Sequence, residues 1–493
     1  MKEQSKFSKV LSILLSVVLV ISSFYLLYQV IRLNVLPSKF LFPLTIGVVV
    51  LDAIFILLLI YFSKNVVSKI VCILLTLFIC VATCMGGYYI SKTQNVLSNI
   101  TNVAKHAKNT VSVIVKESSS IKNKSQLNDV SVGSLRLNEQ GSKKVLKELS
   151  GEGIVLNQTE YDSMTALLEA FYNGEVDSII INESSRSQIL DMEAYSNFDS
   201  NTRVVYQTSY KVKNNDSATS VSDITSKPFN VLISGSDTRG GFDENGRSDV
   251  IMIATVNPKT HTILLTSVPR DFYVTTACDA GDGCMQGALD KITHTGIHGT
   301  NTTKRTVEQL LGIEINYTFK VGFDTVTELV DVLGGVDVYV EPGYATTTSE
   351  FSVHEGVNHL NAQQALAFAR ERYSYTEGDR QRTKNQQQVL MGIVKEATKP
   401  SVITNYAAIM DTMANTFSTT MSNAEITDLI KYQLNNNPTW KMEQYMVDGT
   451  GDTLMCAELG DAASVMVPDQ STVKMAKDKI NAVLAGKSSE DVK

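Results

Sequence analysis

The stretch Phe229-Asn-Val-Leu-Ile-Ser-Gly-Ser-Asp-Thr-Arg239 decides the fold of the larger part of this chain, together with two apolar runs that follow it, 250–256 and 262–268. Runs of this length, bounded by turn residues, predict three successive strands at 229–234, 250–256 and 262–268. The downstream pattern predicts a helix at 302–311, a strand at 318–322, a helix at 325–333 and a strand at 336–340. Strands and helices at this spacing predict a layered α-β-α domain with a mixed central sheet.

Helical patterns follow this sheet. Asn361 is a suitable N-cap for a helix that runs towards Arg370, and a second helix is predicted over 379–398. Residues 401–485 contain more helix and one or two strands but no separate motif. We therefore predict one domain over 228–485, with its motifs between 228 and 400, and a short tail at 486–493.

A smaller α/β unit is predicted before this domain, over residues 95–213. Short apolar runs at 111–115, 178–181 and 203–206 alternate with helical patterns at 142–149 and 163–172. The chain that follows is rich in Asn, Asp, Ser and Thr and has few apolar residues to bury, so we predict a linker at 214–227.

Three apolar stretches open the chain, at about 10–33, 40–62 and 70–90, and each is long enough for a helix that crosses a bilayer. The first lacks the short apolar core and small-residue cleavage site of a secretory signal, so residues 1–92 are predicted to form an uncleaved anchor. Positive charges favour a cytoplasmic N-terminus, with Lys2, Lys6, Lys9, Lys64 and Lys69 inside against Arg32, Lys39 and Lys92 outside. Three crossings would place everything after about residue 91 outside the cell.

Asp52 lies within the second span, where an ionisable side chain is costly. A functional role is one interpretation, and helix packing or a neutral, protonated carboxyl group is the other.

The net charge of −7 and the pI near 5.5 argue against direct binding to nucleic acid, whose partners carry a basic excess. Any phosphate chemistry must then come from a local cluster of charges. Among the six cysteines no metal-type CxxC pairs occur. Outside the cytoplasm Cys278 and Cys284 could form a disulfide, the alternative being two free thiols.

Two carboxylates flank the first turn of the predicted sheet, Asp237 after the first strand and Asp249 before the second. Mg²⁺ takes one or two carboxylates and completes its shell with water and phosphate oxygens, so the pair is a candidate metal site. Asp and Gly are also common in ordinary turns. Arg270 follows the third strand and would lie at the same edge if the strands are neighbours and parallel.

Arginines are concentrated in one later stretch, with Arg370, Arg372, Arg380 and Arg382 between two predicted helices. If a helix begins at Asp379, then Arg382 and Gln386 share its face near the N-terminal turn, which favours anions. Four such arginines are either solvated or built for a multiply charged ligand, and the forked guanidinium suits phosphate oxygens. Composition alone leaves both alternatives open.

Other candidate residues are weaker. His294 and His298 have the spacing of one helical face, but no accompanying ligand set favours a transition metal over polar packing. Lys291 is either a further phosphate contact or a solvated lysine. The chain has no GxSxG elbow and no Walker GxxxxGK[ST] motif, which argues against an acyl hydrolase and a nucleotide-driven machine.

Several motifs together resemble the LytR-CpsA-Psr family in order and spacing. They are Gly235-Ser-Asp-Thr-Arg239, Arg247-Ser-Asp249, Val268-Pro-Arg-Asp271, Asp290-Lys-Ile-Thr-His294, Phe319-Lys-Val-Gly-Phe-Asp324, Leu333-Gly-Gly-Val-Asp337 and the stretch from Ala369-Arg-Glu-Arg-Tyr373 to Gln388. The resemblance covers about 228–400. The three preceding helices and the intervening α/β unit look like the CpsA branch of streptococci.

The resemblance implies an enzyme that transfers a glycopolymer, here capsular polysaccharide, from polyprenyl pyrophosphate to peptidoglycan through a phosphodiester. It implies that Asp237 and Asp249 bind Mg²⁺, with Mn²⁺ as an alternative ion. The implied pyrophosphate-binding residues are Arg270, Arg370, Arg372, Arg382 and Gln386. Arg247 belongs to the same motif, and Lys291 is an additional candidate contact that the residues alone suggest. Asp379 or Asp271 could take the proton of the attacking hydroxyl. The implied partners are the lipid-linked polysaccharide, peptidoglycan, the membrane and capsule assembly proteins.

Three other functions remain open from the sequence. The chain could act as a membrane regulator of capsule expression, although the predicted topology leaves too little in the cytoplasm for a DNA-reading module. It could hydrolyse the lipid pyrophosphate with the same site. The unit at 95–213 could bind the capsule or biosynthetic partners, since it lacks paired catalytic groups.

Overall fold

The structure is a computed structural model that describes residues 6–62, 65–103, 106–213, 218–236, 244–279, 283–399, 408–409, 412 and 417–493. The chain forms two compact units. One contains residues 1–99, 398–414 and 422–438, and the other contains residues 100–397, 415–421 and 439–493.

The first unit is built on three apolar helices: α1 (Lys6–Leu33), α2 (Ser38–Leu57, continued by a π-helical turn at Leu58–Phe62) and α3 (Val66–Val103). Each is long and apolar enough to cross a membrane. Most large apolar side chains of these helices are exposed, as expected for surfaces that face lipid. The three predicted spans are therefore confirmed as helices, and the third continues 13 residues past its predicted end, over a stretch, 91–103, that contains no Gly or Pro.

Polar side chains join the three helices. Ser23 Oγ donates to Asp52 Oδ1 (2.9 Å), and Thr83 Oγ1 donates to Ser22 Oγ (2.9 Å). Such hydrogen bonds between apolar helices stabilise their packing. The contact of Asp52 with a hydroxyl group favours the packing interpretation of this residue.

Among its described residues, the second unit contains two large sheets and four strand pairs, and the first large sheet has five strands in the order β3-β2-β4-β1-β5. The strands are β1 (His106–Lys116), β2 (Val130–Leu135), β3 (Leu156–Tyr161), β4 (Ser178–Asn182) and β5 (Thr202–Lys213). The helices are α4 (Glu139–Gly151), α5 (Met164–Asn173), α6 (Arg186–Asp191) and α7 (Phe198–Asn201). α4 and α5 pack into separate apolar clusters, the first around Val145 and Leu149, the second around Phe171. This part is called the accessory unit below, and its α/β character is as predicted.

The second sheet has six strands in the order β16-β11-β6-β7-β8-β17. They are β6 (Phe229–Ser236), β7 (Val250–Asn257), β8 (Thr262–Val268), β11 (Tyr317–Gly322), β16 (Phe417–Thr419) and β17 (Lys441–Met446). β7 is antiparallel to β6 and β8, whereas β11 is parallel to β6 and β17 to β8. The sheet is therefore mixed, as predicted.

Smaller strand pairs surround this sheet. They are β9 (Tyr273–Thr275) with β10 (Leu289–Lys291), β12 (Val336–Val340) with β15 (Gly356–Leu360), β13 (Thr346–Thr347) with β14 (Ser352–Val353), and β18 (Gly449–Cys456) with β19 (Asp461–Pro468).

Helices cover the sheet in two groups. The five long helices are α8 (Thr300–Leu311), α9 (Phe323–Leu333), α10 (Ala362–Arg370), α11 (Asp379–Ala397) and, after α12 (Asn423–Asn436) of the first unit, α13 (Gln470–Leu484). α8 and α13 pack on Leu232, Ile253 and Leu264 of the central strands, whereas α9, α10 and α11 share a second apolar core with β12 and β15. Asn361 caps α10, since its Oδ1 accepts from Gln364 N (3.0 Å). These layers give the predicted α-β-α arrangement.

The segment predicted as a linker packs on this domain where it is described. Residues 214–217 lie outside the described residues. Beyond them Thr219 N donates to Asn316 O (3.0 Å), the hydroxyl of Tyr317 accepts from Val221 N (2.9 Å), and Ile224 is buried. Two hydrogen bonds and one buried apolar side chain thus hold a polar segment on the domain.

Candidate anion-binding site

The candidate site lies where three central strands reach one edge of the six-stranded sheet. The register pairs Gly235 near the end of β6 and Val268 at the end of β8 with the first two residues of β7. Asp249, just before β7, and Arg270, just after β8, therefore meet at this edge. We expected Arg270 to reach this edge if the strands are neighbours and parallel. That condition was wrong, because β7 lies between β6 and β8 and is antiparallel to both, so β6 and β8 are parallel to each other without being neighbours.

An ion pair forms the centre of the site. Arg270 Nη1 donates to Asp249 Oδ1 over 2.8 Å, and the two side chains are only 21% and 13% exposed. Burial alone would lower the pKa of Arg270, but the carboxylates of Asp249 and Asp271 raise it above its usual value. Arg270 is therefore held as a cation in a partly desolvated position.

Main-chain contacts fix the segments that carry this pair. Thr293 N donates to Arg270 O (3.0 Å) and Ser248 N donates to Thr293 O (3.0 Å). Gly296 lies against the same segment, and a Cβ atom there would come within 2.6 Å of Ser248 N. Glycine is required at this position because the two backbones approach so closely.

α11 brings further cations to the site. It begins at Asp379 as predicted, and Arg382 Nη2 contacts Asp379 Oδ1 one turn later. Burial lowers the pKa of Arg382, and the positive charges of Arg270 and Arg372 lower it further. Asp379 in turn raises the pKa of Arg270. These effects on the pKa values indicate that Arg270, Arg372, Arg382 and Asp379 lie close enough to interact electrostatically.

The remaining predicted residues lie around this centre or outside the described part. Gln386 is half-buried one turn after Arg382 on α11, whereas Arg370 is exposed at the end of α10. Arg372 donates from Nη2 to the hydroxyl of Tyr373 (2.6 Å) and its guanidinium stacks on that ring. Lys291 Nζ contacts Asp271 Oδ1 (3.4 Å). Asp237 lies outside the described residues.

Arg380 is directed elsewhere. Its Nε donates to Asp448 Oδ1 (2.8 Å) and its Nη2 to Gly449 O (3.0 Å). It therefore serves a structural contact, although it stands only two residues from Arg382.

Several buried hydrogen-bond donors at this edge have no partner among the described residues. They include Nε of Arg247, Arg270 and Arg382 and the hydroxyl groups of Ser236 and Ser267. A buried donor without a partner costs about 1–3 kcal/mol, and more when it belongs to a charged group. Three guanidinium groups in this condition, close to one carboxylate, form a site that a multiply charged oxyanion would satisfy.

The donor set also bears on the expected metal. In the part of the chain that the structure describes, no group of three or more His, Cys, Asp or Glu side chains is arranged to hold a metal ion. Asp249 supplies one carboxylate, 13% exposed. Mg²⁺ usually combines one or two carboxylates with phosphate oxygens and water, so these residues fit Mg²⁺ that enters with a phosphate ligand, rather than a preformed protein cage.

His294 and His298 belong to a separate polar cluster. His294 Nδ1 lies 2.7 Å from Asp290 Oδ1, and His298 Nε2 lies 2.9 Å from Glu458 Oε2. Glu458 N donates to Asp290 Oδ2 (2.8 Å). These contacts support the polar-packing interpretation of both histidines. The nearby pair Cys278 and Cys284 is joined as a disulfide.

Sequence reasoning missed one charged group at the site. Asp191, at the end of α6 in the accessory unit, contacts Arg247 Nη1, while Arg247 Nε faces Asp249 Oδ1 at 4.0 Å. Asp191 precedes Arg247 by 56 residues and belongs to no motif, so only the three-dimensional arrangement identifies it.

A layered α/β domain with partly buried arginines at one sheet edge, in a chain with three helices able to cross a membrane, characterises a membrane-anchored protein with a candidate anion-binding site. Residues 194–482 match the LytR_cpsA_psr family, and the chain belongs to this family. The resemblance found in the motifs is thereby confirmed.

Curated relatives match somewhat less than half of the chain. The polyisoprenyl-teichoic acid–peptidoglycan teichoic acid transferase TagU of Bacillus cereus (strain AH820) is 31% identical over 241 residues, 48% of this chain and 76% of that protein. TagU of Bacillus subtilis (strain 168) is 35% identical over 196 residues, 40% of this chain and 60% of that protein.

Solved structures also align with the chain. A crystal structure of a Streptococcus agalactiae protein is 25% identical, with a TM-score of 0.45, and covers 53% of this chain and 89% of that one. The crystal structure of B. subtilis TagU is 28% identical, with a TM-score of 0.40, and covers 52% of this chain and 97% of that one.

Proposed function

We propose that this protein transfers capsular polysaccharide, or a related glycopolymer, from polyprenyl pyrophosphate to peptidoglycan. The observation that carries the proposal is the set of three largely buried guanidinium groups near Asp249 whose Nε atoms have no hydrogen-bond partner in the described part of the chain. Membership of the family and the names of its TagU relatives support transfer between a polyisoprenyl carrier and peptidoglycan. The capsular donor rests on the anchor and accessory unit, which resemble the CpsA branch.

The reaction would be a phosphoryl transfer without a covalent enzyme intermediate. A wall-sugar hydroxyl attacks the phosphorus nearer the polymer, the bond from that phosphorus to the bridging oxygen breaks, and polyprenyl phosphate leaves. The polymer keeps one phosphate, which becomes its diester link to the wall.

Arg270 and Arg382, assisted by Arg247 and Arg372, would bind the pyrophosphate oxygens and stabilise the charge that develops on the leaving group. Their burial strengthens this interaction, because less water screens it. Gln386, Lys291 and the exposed Arg370 would bind more peripheral phosphate or sugar oxygens.

A carboxylate would take the proton of the attacking hydroxyl. Asp379 and Asp271 are the candidates, with side chains 30% and 33% exposed, and each also contacts a cation of the site. Asp249 is less suitable as the base since it is paired with Arg270.

Mg²⁺, or Mn²⁺ in its place, is part of this proposal. Asp249 would hold the ion together with the predicted ligand Asp237, and a bound ion would neutralise pyrophosphate charge.

The proposed topology has the N-terminus in the cytoplasm and the accessory unit and catalytic domain outside a Gram-positive cell. The positive charges near the spans support this orientation. Within the first unit Lys431 Nζ of α12 donates to Asn34 Oδ1 in the turn after α1 (2.6 Å), which supports placing these two segments on one side of the membrane.

The test uses the full-length chain in detergent or nanodiscs with a polyprenyl-pyrophosphate glycan, peptidoglycan fragments and Mg²⁺. Products are identified by mass spectrometry for wild type, Arg270→Ala, Asp249→Ala and the matched control Arg380→Ala, whose arginine contacts Asp448 instead of the site. We expect a phosphodiester-linked product from wild type and Arg380→Ala alone. Free glycan phosphate without a linked product would indicate hydrolysis, and equal transfer by Arg270→Ala would refute the assigned site.

A further inference from the structure

The accessory unit contacts the segment of residues 244–249, which carries Arg247 and Asp249, at both of its ends. At the first end, Lys108 on β1 forms a parallel bridge with Glu244, and Lys108 Nζ lies 3.1 Å from Glu244 Oε1. Thr110 Oγ1, also on β1, donates to the same oxygen. Glu244 is 7% exposed, so this contact is a buried attachment rather than a surface ion pair.

At the second end, Asp191 contacts the guanidinium of Arg247. The Arg247 side chain is 13% exposed, whereas that of Asp191 is 59% exposed. α6 is itself held in place, because Arg186 at its start is ion-paired with Glu183 (2.6 Å) and Asp199 (2.9 Å). Asp191 is thus presented to Arg247 from a fixed element.

A third contact keeps the two parts together. Thr165 at the start of α5 donates from its N and its Oγ1 to Leu459 O, over 3.1 and 3.0 Å. Met192, which follows Asp191, packs on the apolar cluster of Cys456, Leu459 and Val465. Asp191 is therefore held in position by the ion pairs of α6 before it and by the packing of Met192 after it.

We propose that Asp191 is a positioning residue through which the accessory unit orients Arg247 for pyrophosphate. This inference rests on the proposed function. A guanidinium group is planar, so a carboxylate that holds Nη1 also fixes the direction of Nε. Nε of Arg247 is buried, lies 4.0 Å from Asp249 Oδ1 and has no hydrogen-bond partner among the described residues, so this edge can donate to a phosphate oxygen.

The geometry favours orientation over blockage. A carboxylate that blocked the site would occupy the Nε edge beside Asp249, whereas Asp191 occupies the opposite nitrogen. The accessory unit then completes the catalytic site instead of acting as an independent module, and its loss would affect the binding of lipid pyrophosphate before the chemical step.

The experiment compares the full-length wild type with Asp191→Ala, Asp191→Asn and Asp191→Glu. Transfer is measured as kcat and KM for the lipid pyrophosphate, inorganic pyrophosphate binding by calorimetry, and folding by thermal melting. Asp162→Ala is the matched control, because Asp162 pairs with Arg136 (2.9 Å) wholly within the accessory unit. Arg270→Ala is included to report on the proposed function itself.

We expect Asp191→Ala to raise KM and the Kd for pyrophosphate about fivefold to tenfold, with a smaller change in kcat, because an exposed carboxylate contributes modestly to a charge-assisted contact. Asp191→Asn should behave similarly without a change in side-chain size, and Asp191→Glu should recover part of the affinity. Asp162→Ala should match the wild type.

Wild-type KM and Kd in Asp191→Ala and Asp191→Asn, with Arg270→Ala inactive, would refute the positioning role and leave the proposed function intact. Faster transfer or tighter pyrophosphate binding in these variants would show that Asp191 obstructs the site, which also overturns the inference. Transfer by Arg270→Ala at the wild-type rate would instead count against the proposed function.

Discussion

Two polar clusters of the α-β-α domain differ in whether their hydrogen-bond donors are satisfied. Around Asp290, both histidines have carboxylate partners, and the carboxylate of Asp290 also accepts from the backbone of Lys291 (2.7 Å) and of Glu458 (2.8 Å). Around Asp249, three guanidinium groups keep a buried Nε without a partner among the described residues. Among the described residues, the histidines and Asp290 of the first cluster all have partners, whereas the second cluster leaves donors that the proposed anion would satisfy.

This difference separates structural from functional roles more clearly than residue type does. Histidines are the commoner catalytic and metal-binding residues, yet here they are engaged in packing. A cluster whose donors are satisfied stabilises the fold, and a cluster with unsatisfied donors stores a cost that ligand binding relieves. The two clusters should therefore respond in opposite ways to mutation.

The largest expected effect is on catalysis at the arginine cluster. Arg382→Met replaces a buried cation by an apolar side chain of similar length, and transfer should fall about 100-fold or more because a donor to the developing charge is lost. The free energy of unfolding should stay constant or rise by about 1 kcal/mol, since the desolvation cost of the charge disappears. Transfer assays and urea denaturation measure the two quantities.

The control for this prediction is Arg380→Met, which removes the neighbouring arginine that contacts Asp448 and Gly449. It should transfer at nearly the wild-type rate. If Arg382→Met lowered the free energy of unfolding by as much as it raised the activation free energy of transfer, the distinction between the clusters would be contradicted.

The opposite result is expected at the histidine cluster. Asp290→Ala removes a carboxylate that accepts from His294 and from two backbone N–H groups, and leaves these buried donors unsatisfied. We expect the free energy of unfolding to fall by about 3 kcal/mol. The transfer rate per folded molecule should change by less than about threefold, as a structural role implies. If Asp290→Ala kept the wild-type stability but lost transfer, this cluster would have a role in the reaction instead of in folding.

The disulfide beside the histidine cluster provides a smaller test. Cys284 lines the same small cavity as His294 and His298, and the bridge closes a loop between positions six residues apart. The double variant Cys278→Ser, Cys284→Ser should lower the free energy of unfolding by about 2 kcal/mol, as expected for so short a loop. Transfer should be retained, and the same shift in melting should follow reduction of the wild type with dithiothreitol.

The sequence was sufficient for most elements of the fold. Strong apolar runs gave β6, β7 and β8 within one or two residues, and the helix predicted over 325–333 ends, as α9 does, where Gly334 and Gly335 follow. Both glycines have a positive φ, which is the physical basis of that signal. The strand order was not predictable in the same way, since Asp249 and Arg270 meet through an antiparallel arrangement that no local pattern encodes.

The candidate site was predictable only in part for a related reason. Spacing along α11 correctly grouped Asp379, Arg382 and Gln386 on one helix, but it did not distinguish Arg380, which turns towards Asp448. Asp191 carries no sequence signal, because its role depends on how the accessory unit packs. Sequence motifs identify site residues that are close to one another in the chain. A residue that is distant in sequence, such as Asp191, is identified only from the three-dimensional packing.

The smallest expected effect is the pH dependence of the histidine cluster. Burial alone would raise the pKa of Asp290, but the hydrogen bonds from His294 and from the backbone of Glu458 and Lys291 hold it below its usual value. A lowered folded-state pKa contributes stability above the unfolded value of about 3.9, and this stability is lost as the pH falls through the folded value. Wild type should therefore lose about 1 kcal/mol more than Asp290→Asn when the pH falls from 5 to 3, as measured by urea denaturation. Parallel loss in the two proteins would mean that the carboxylate of Asp290 is no better stabilised in the folded chain than in the unfolded one, and the cluster would then resemble the arginine site in needing a partner that the protein itself does not provide.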